Sequence, residues 1–226
     1  IISKNEEKFI ADAVKSALFA DEVLVLDSGS IDDTCVIAQQ LGARVLHQDW
    51  LGFGAQKNKA VELAKNDWVF VLDSDERITL ELQLEILSTL KNPTVDGYHT
   101  ARLNNFFGKN IWHCGLYPDY SIRLFNRQKG RFNNVPVHES VQIQGNTNKL
   151  KNHMIHLAYE NIDEFKVGEI TEEQMNRTKG LDLLITGEKV WKKGKEIVRA
   201  MELYLALEDV QKLLKKVRHW KLLNKY

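Results

Sequence analysis

Cysteine and proline are scarce in this chain, two and three among 226 residues. Two thiols, Cys35 and Cys114, are too few for a disulfide framework, and their spacing is not that of a metal-ligand pair. A reducing compartment is the simplest setting for them. No run of 18 apolar residues occurs, so no helix is expected to cross a bilayer, and no signal-peptide pattern opens the chain. Charge of one sign is also missing: 31 Lys and Arg balance 31 Asp and Glu. A neutral chain offers no argument for nucleic acid or for an acidic partner. Neither G-x-G-x-x-G nor G-x-x-x-x-G-K-[ST] is present, which excludes the common glycine-rich phosphate loops. What remains is 43% apolar and 27% charged. That balance predicts a packed globule, one large domain or one domain with an appendage. Ile1-Ile2 reads as the end of a strand that starts upstream.

The first half alternates strands and helices. Glu6 to Phe19 reads as a helix with Phe9, Ile10, Ala13, Val14, Ala17 and Leu18 on one face. Glu22 to Asp27 is a short apolar run ending in a carboxylate. A helix capped by Asp32-Asp33 follows and stops at Gly42. Ala43 to His47, a helix near Ala55 to Lys65, a strand ending at Asp73 and a helix over Thr79 to Lys91 complete the pattern. Such alternation implies parallel βαβ units, whose ligands gather at the carboxyl ends of the strands. Asp27 and Asp73 both stand at such ends. From Gly97 to Ile143 the segments are short and rich in Asn, Gly and aromatics, and they read as antiparallel strands with long loops. Past Asp163 the chain reads as helical.

The strand Trp68-Val-Phe-Val-Leu72 runs into Asp73-Ser74-Asp75-Glu76. Carboxylates at i and i+2 of an extended segment point to one side and can converge on a hard cation, Mg²⁺ or Mn²⁺. Ser74, Asp75 and Thr79 are equally good helix-cap residues. Asp27-Ser28-Gly29-Ser30 is either a tight turn or a carboxylate that accepts from a ribose or a base. Asn5 in Lys4-Asn5-Glu6-Glu7 caps the first helix, a role compatible with binding a base. In Gly52 to Asn58, Lys57 is either solvated or meets a phosphate or sugar oxygen.

The second half carries further carboxylates. Asp119 and Glu139 are candidate general bases. Alternatively, Asp119 starts a strand after a Pro turn and Glu139 pairs with Arg123 or Arg131. Cys35 reads as mid-helix, and no Ser-His-Asp or Cys-His arrangement is legible, so covalent catalysis is disfavoured. His153 and His156 have the spacing of a metal pair on a helix, and His156 is the better candidate for the cation's shell. Near the end, Leu203, Leu207, Val210, Leu214 and Val217 form an apolar stripe beside Lys212, Lys215, Lys216, Arg218 and Lys221. That helix either lies on an anionic membrane surface or packs on the domain with its lysines solvated.

Taken in order, Lys4-Asn5-Glu6-Glu7, Ala20 to Thr34, Gly52 to Asn58, Leu72 to Glu76, Trp112 to Asp119, Ile122-Arg-Leu-Phe125 and Val137-His-Glu139 resemble the family 2 inverting glycosyltransferases. The set is similar to the lipopolysaccharide core β-glucosyltransferases of Gram-negative bacteria, over roughly residues 1–160. The resemblance implies an α/β GT-A fold, with a Rossmann-like nucleotide-sugar half over 1–96, a mixed-sheet acceptor half over 97–160 and a helical segment over 161–226. It implies a UDP-sugar donor, UDP-glucose first, a divalent cation, and a lipid-linked saccharide acceptor at the cytoplasmic face of the inner membrane. Asn5, Glu6 and Asp27 would hold base and ribose, Asp73 would lie by the ribose, and Asp75 would bind the cation. Asp119 would be the base, with Glu139 in reserve. Two departures stand out: Asp-Ser-Asp where relatives have Asp-Ala-Asp, and Leu116 where relatives have Trp. A protein or peptide acceptor and a non-catalytic sugar-nucleotide-binding module are the alternatives. A metal-dependent phosphatase or nuclease would want a second ligand cluster, which is not legible.

Overall fold

The computed structural model describes residues 1–106, 108–112, 117–133, 135 and 139–159. The expectations for residues 113–116, 136–138 and 161–226, including the basic helical stripe, lie outside them.

The alternating first half is present. Its elements are β1 (Ile2–Ser3), α1 (Ile10–Ala17), β2 (Leu24–Asp27), α2 (Thr34–Gln40), β3 (Arg44–His47), α3 (Phe53–Leu63), β4 (Trp68–Phe70), β5 (Glu76–Ile78) and α4 (Leu80–Leu90). The second half adds β6 (Gly97–Phe106), β7 (Lys109–Asn110), β8 (Asp119–Asn126), β9 (Gly130–Phe132), β10 (Val141–Ile143) and β11 (Thr147–Tyr159). Strands β1, β2 and β3 form a parallel sheet in that order. A six-stranded mixed sheet runs β4-β8-β6-β11-β5, with β7 on β6, and β9 and β10 form a separate antiparallel pair.

Several boundaries depart from the sequence reading for physical reasons. The first helix starts at Ile10, not Glu6. The backbone N–H groups of Asn5, Glu6 and Glu7 donate to Ser30 Oγ, Thr34 Oγ1 and Asp32 Oδ2, on the connection after β2. Donors that a helix start leaves unpaired are thus taken by another loop. Asn5 adopts a left-handed φ of 56° rather than a cap conformation. Asp32 accepts from the Thr34 N–H, whereas Asp33 makes no side-chain cap bond. Cys35 stands at the start of α2, not in its middle. Gly42 stops that helix as expected, at φ 90°. Thr79 caps α4 by accepting from the Leu82 N–H at 3.3 Å.

Strand β4 ends at Phe70 and pairs antiparallel with β8, so the run to Asp73 is not one parallel strand of the first sheet. An apolar cavity of about 400 Å³ lies between the two sheets, lined by Ile1, Val23 and Leu24 and by Trp68, Phe70 and Leu72. Strand β11, 13 residues long, runs parallel to β6 and antiparallel to β5. It lies past the segment read as antiparallel strands, Gly97 to Ile143, and it puts His153 and His156 on a strand instead of a helix. Leu72, Ile78, Leu82, Ile86, Tyr98, Leu124 and Met154 form the core under α4. Val61, Phe125, Phe132 and Val141 form a second core under α3.

Candidate active site

Asp73 and Asp75 part company in three dimensions. The Asp73 carboxylate is gripped by Lys57 Nζ at 2.8 Å and Arg123 Nη1 at 3.1 Å. Burial pushes its carboxyl up, but Arg123 and Lys57 outweigh that and hold it far below the usual carboxylate range. Asp75 has neither cation. Its Oδ2 lies 3.3 Å from Nε2 of His156 on β11.

The tautomer of His156 follows from its other nitrogen. Nδ1 lies 2.7 Å from Asn104 Oδ1 on β6, and an amide oxygen only accepts. The ring therefore donates from Nδ1, which leaves Nε2 as the nitrogen that meets the Asp75 oxygen. The space between a carboxylate oxygen and a ring nitrogen takes a proton or a cation. Among the described residues, no group of three or more His, Cys, Asp or Glu is arranged to hold a metal. The pair is nevertheless enough for a hard cation that shares its remaining positions with substrate phosphates and water. Asp75 and His156 would hold such an ion. His153 does not join them: it packs with Trp112 and Tyr117, ring centroids 5.3 and 5.8 Å away.

Behind this pair runs a chain of alternating charges. Asp119 Oδ2 lies 2.6 Å from Arg102 Nη2, and Arg102 Nη1 lies 3.8 Å from Glu76 Oε1. Glu76 Oε1 meets Arg123 Nη2 at 2.6 Å, and Arg123 passes to Asp73 and Lys57. Lys57 ends the chain on Glu139 Oε1 at 2.7 Å. The expected partners of Glu139, Arg123 and Arg131, are thus replaced by Lys57. Glu76 is wholly buried, and its Oε2 accepts the Asp73 N–H at 3.0 Å. Burial raises its carboxyl, and Arg123 offsets only part of that. Burial alone would lower the Arg123 guanidinium, but Glu76 and Asp73 raise it. Such a chain fixes geometry more surely than it adds stability, because desolvation consumes most of the Coulomb gain.

The two candidate bases sit at opposite ends of this chain. The Asp119 side chain is 43% exposed and starts β8 just after the cis bond Tyr117-Pro118. Glu139 is 11% exposed, with Lys57 against it.

At the carboxyl end of β2, Asp27 is absorbed into its own turn. Oδ2 accepts from the Gly29 and Ser30 N–H groups, both at 2.8 Å, and Oδ1 accepts from the Ser3 and Ser30 hydroxyls. Burial pushes its carboxyl up, yet these donors bring it below the usual value. Asn5 Oδ1 accepts the Ile31 N–H at 2.9 Å, joining the two connections on this rim. Glu6 is drawn toward Ser74 and Asp75: burial raises its carboxyl, a Ser74 hydrogen bond lowers it, and Asp75 raises it further. The structure therefore brings Glu6 and His156 to Asp75, and Lys57 and Glu139 to Asp73. Asn5 and Asp27 form a neighbouring turn pair.

Sequence reasoning passed over Glu76, Arg102 and Asn104 as site residues. A glutamate directly after Asp-Ser-Asp, and an arginine inside the apolar Ile122-Arg-Leu-Phe125, were the available signals for the buried pair. Nothing local marks Asn104 or Arg102, whose partners arrive from β11 and β8.

Residues 1–148 match the model of glycosyl transferase family 2, and the chain belongs to that family. The mixed sheet with its helices is a GT-A fold. The TarS protein of S. aureus, residues 1–349 in complex with UDP, superposes with a TM-score of 0.51 at 16% identity, covering 83% of this chain and 74% of that one. Among curated relatives, an uncharacterized glycosyltransferase of Rickettsia felis is 37% identical over 148 residues, 62% of this chain and 52% of the relative. The lipopolysaccharide core biosynthesis glycosyltransferase LpsC of Rhizobium meliloti is 30% identical over 154 residues, 65% of this chain and 57% of the relative. The chain spans about half the length of these relatives.

Proposed function

We propose that this chain transfers a hexose, glucose first, from a UDP-sugar to a hydroxyl of a lipid-linked saccharide, with inversion and with a divalent cation. The likeness to LpsC supports lipopolysaccharide or lipooligosaccharide core assembly as the setting. A cytoplasmic location at the inner membrane face, with the basic segment past residue 161 against the lipid, completes the proposal. The observation that carries it is the convergence of Asp75 Oδ2 and His156 Nε2 at 3.3 Å, beside an Asp73 already neutralised by Lys57 and Arg123.

The chemistry assigns each side chain a task. A divalent cation, when bound, offsets the negative charge that grows on the departing diphosphate. Asp75 and His156 orient it. Asn5, Glu6 and Asp27 shape the rim that receives base and ribose, with Asp73 behind. Asp119, the more exposed carboxylate, removes the acceptor hydroxyl proton as that oxygen attacks the anomeric carbon. The bond from that carbon to the phosphate oxygen breaks on the opposite face, and UDP leaves. Glu139, with its side chain 11% exposed against Lys57, stays in reserve behind the 43% exposed Asp119.

The test is a thermal-shift screen of nucleotide sugars with and without Mn²⁺. A donor that binds the folded chain raises its melting temperature by mass action. UDP-glucose with Mn²⁺ should give the largest shift, and Asp75→Ala should abolish the metal-dependent part. No response to any nucleotide sugar would overturn the proposal.

A further inference from the structure

We propose that Arg102 is a positioning residue: it holds Asp119 in the orientation from which that carboxylate takes the acceptor's proton. The inference rests on the glycosyltransferase reading above and assigns a residue that reading leaves idle. Arg102 Nε and Nη2 both donate to one oxygen of Asp119, Oδ2, at 3.0 and 2.6 Å. Asp119 Oδ1 has no hydrogen-bond partner among the described residues. One oxygen is thereby held by two donors, which sets the direction of the carboxylate.

The register supports the assignment. Arg102 on β6 is directly opposite Asp119 on β8, and on its other side opposite Met154 of β11. Met154 is fully buried, so this rung of the sheet is anchored. The remaining terminal nitrogen of Arg102 is turned toward buried Glu76 at 3.8 Å, and Glu76 is locked by Arg123. The guanidinium is planar and offers its donors in a fixed fork. With one branch toward an immobile carboxylate, the other branch has a defined direction. An aspartate at a strand start, with a free side-chain rotor, would lack that definition. The consequence falls on transfer to an acceptor. Donor binding uses the Asp75 and His156 side of the site and should be spared.

Two variants and two readouts test this. With UDP-glucose, Mn²⁺ and lipopolysaccharide from cells lacking the gene as acceptor, Arg102→Gln should lower kcat for transfer at least tenfold. KM for UDP-glucose should stay within about twofold, and slow hydrolysis of UDP-glucose by water should persist. Arg102→Lys should recover part of kcat, since a point charge keeps the attraction but not the fork. Unchanged kcat in Arg102→Gln, or an equal fall in donor binding, would overturn the assignment. A crystal structure of Arg102→Gln reads the same claim without turnover. More than one rotamer of Asp119 supports it, and a single unchanged rotamer overturns it. Should the parent protein transfer nothing, the enzyme reading fails, while the crystal structure still decides whether Arg102 orients Asp119.

Discussion

Arg123 and Glu76 meet at 2.6 Å inside the protein, and the glutamate has no exposed surface at all. Removing either partner strands the other's charge in a low-dielectric interior. Arg123→Met should therefore destabilise the fold by about 3–5 kcal/mol in urea titration at neutral pH. Adding Glu76→Gln should recover part of that loss, because the orphaned carboxylate is gone. A double variant no more stable than the single one would show that the pair is not the source of the effect.

Asn104 is expected to tune cation affinity without touching the ion. Its amide oxygen accepts from Nδ1 of His156 and so turns Nε2 toward Asp75. Asn104→Leu frees the ring to flip or to change tautomer. Outer-shell losses of this kind cost about 10–100-fold in metal affinity. Free Mn²⁺ measured by electron paramagnetic resonance gives the number directly, and an unchanged dissociation constant would refute the role.

The pH dependence of stability should carry a signature from Asp27. Its folded-state carboxyl is depressed below the usual value by the donors around it. A depressed carboxyl contributes stability that is full above its unfolded pKa, about 3.9, and is lost as pH falls through the folded value. Asp27→Asn should thus be less stable than the parent at pH 7, and the gap should narrow as the pH falls below about 4. Parallel denaturation curves at pH 7 and pH 3 check the sign. A gap that widens in acid would contradict the hydrogen-bond account.

Gly54 marks where α3 touches the chain leaving β9. A Cβ there would stand 2.3 Å from the backbone oxygen of Asn133. Backbone cannot step aside as a flexible side chain can. Next to it, Asn58 both donates to the Phe132 carbonyl and accepts from its N–H, each at 2.9 Å. Gly54→Ala should cost about 1–3 kcal/mol through overpacking. It should also speed hydrogen exchange at the Phe132 amide, measurable by NMR. Protection equal to the parent's would mean that the helix shifts freely.

What the sequence made legible was local. Apolar periodicity located α1, and stop or cap residues and strand–helix alternation located α2 to α4, each to within a few residues. Thr79 and Gly42 ended or opened helices by their own chemistry. Residue type singled out Asp75 and His156, which lie 3.3 Å apart, but the helical spacing invoked for His153 and His156 does not apply on a strand. The misses that shape the site were long-range. Asn5 lost its cap role because loops after β1 and β2 exchange hydrogen bonds over more than 20 positions. Lys57 meets Glu139 across 82 positions, a pairing that no pattern in either segment announces. β11 does not read as a strand, because the spacing of His153 and His156 suggests one face of a helix.

The family match stops at residue 148, inside β11, and the curated relatives align over similar lengths. His156 lies beyond that boundary, as does most of the strand that joins β6 to β5. A fragment trimmed to the recognised region would keep Asp-Ser-Asp intact yet forfeit the imidazole opposite it, along with the central rung of the mixed sheet. On the proposed assignment, such a fragment should retain less Mn²⁺ than the longer chain, although its Asp-Ser-Asp is unchanged.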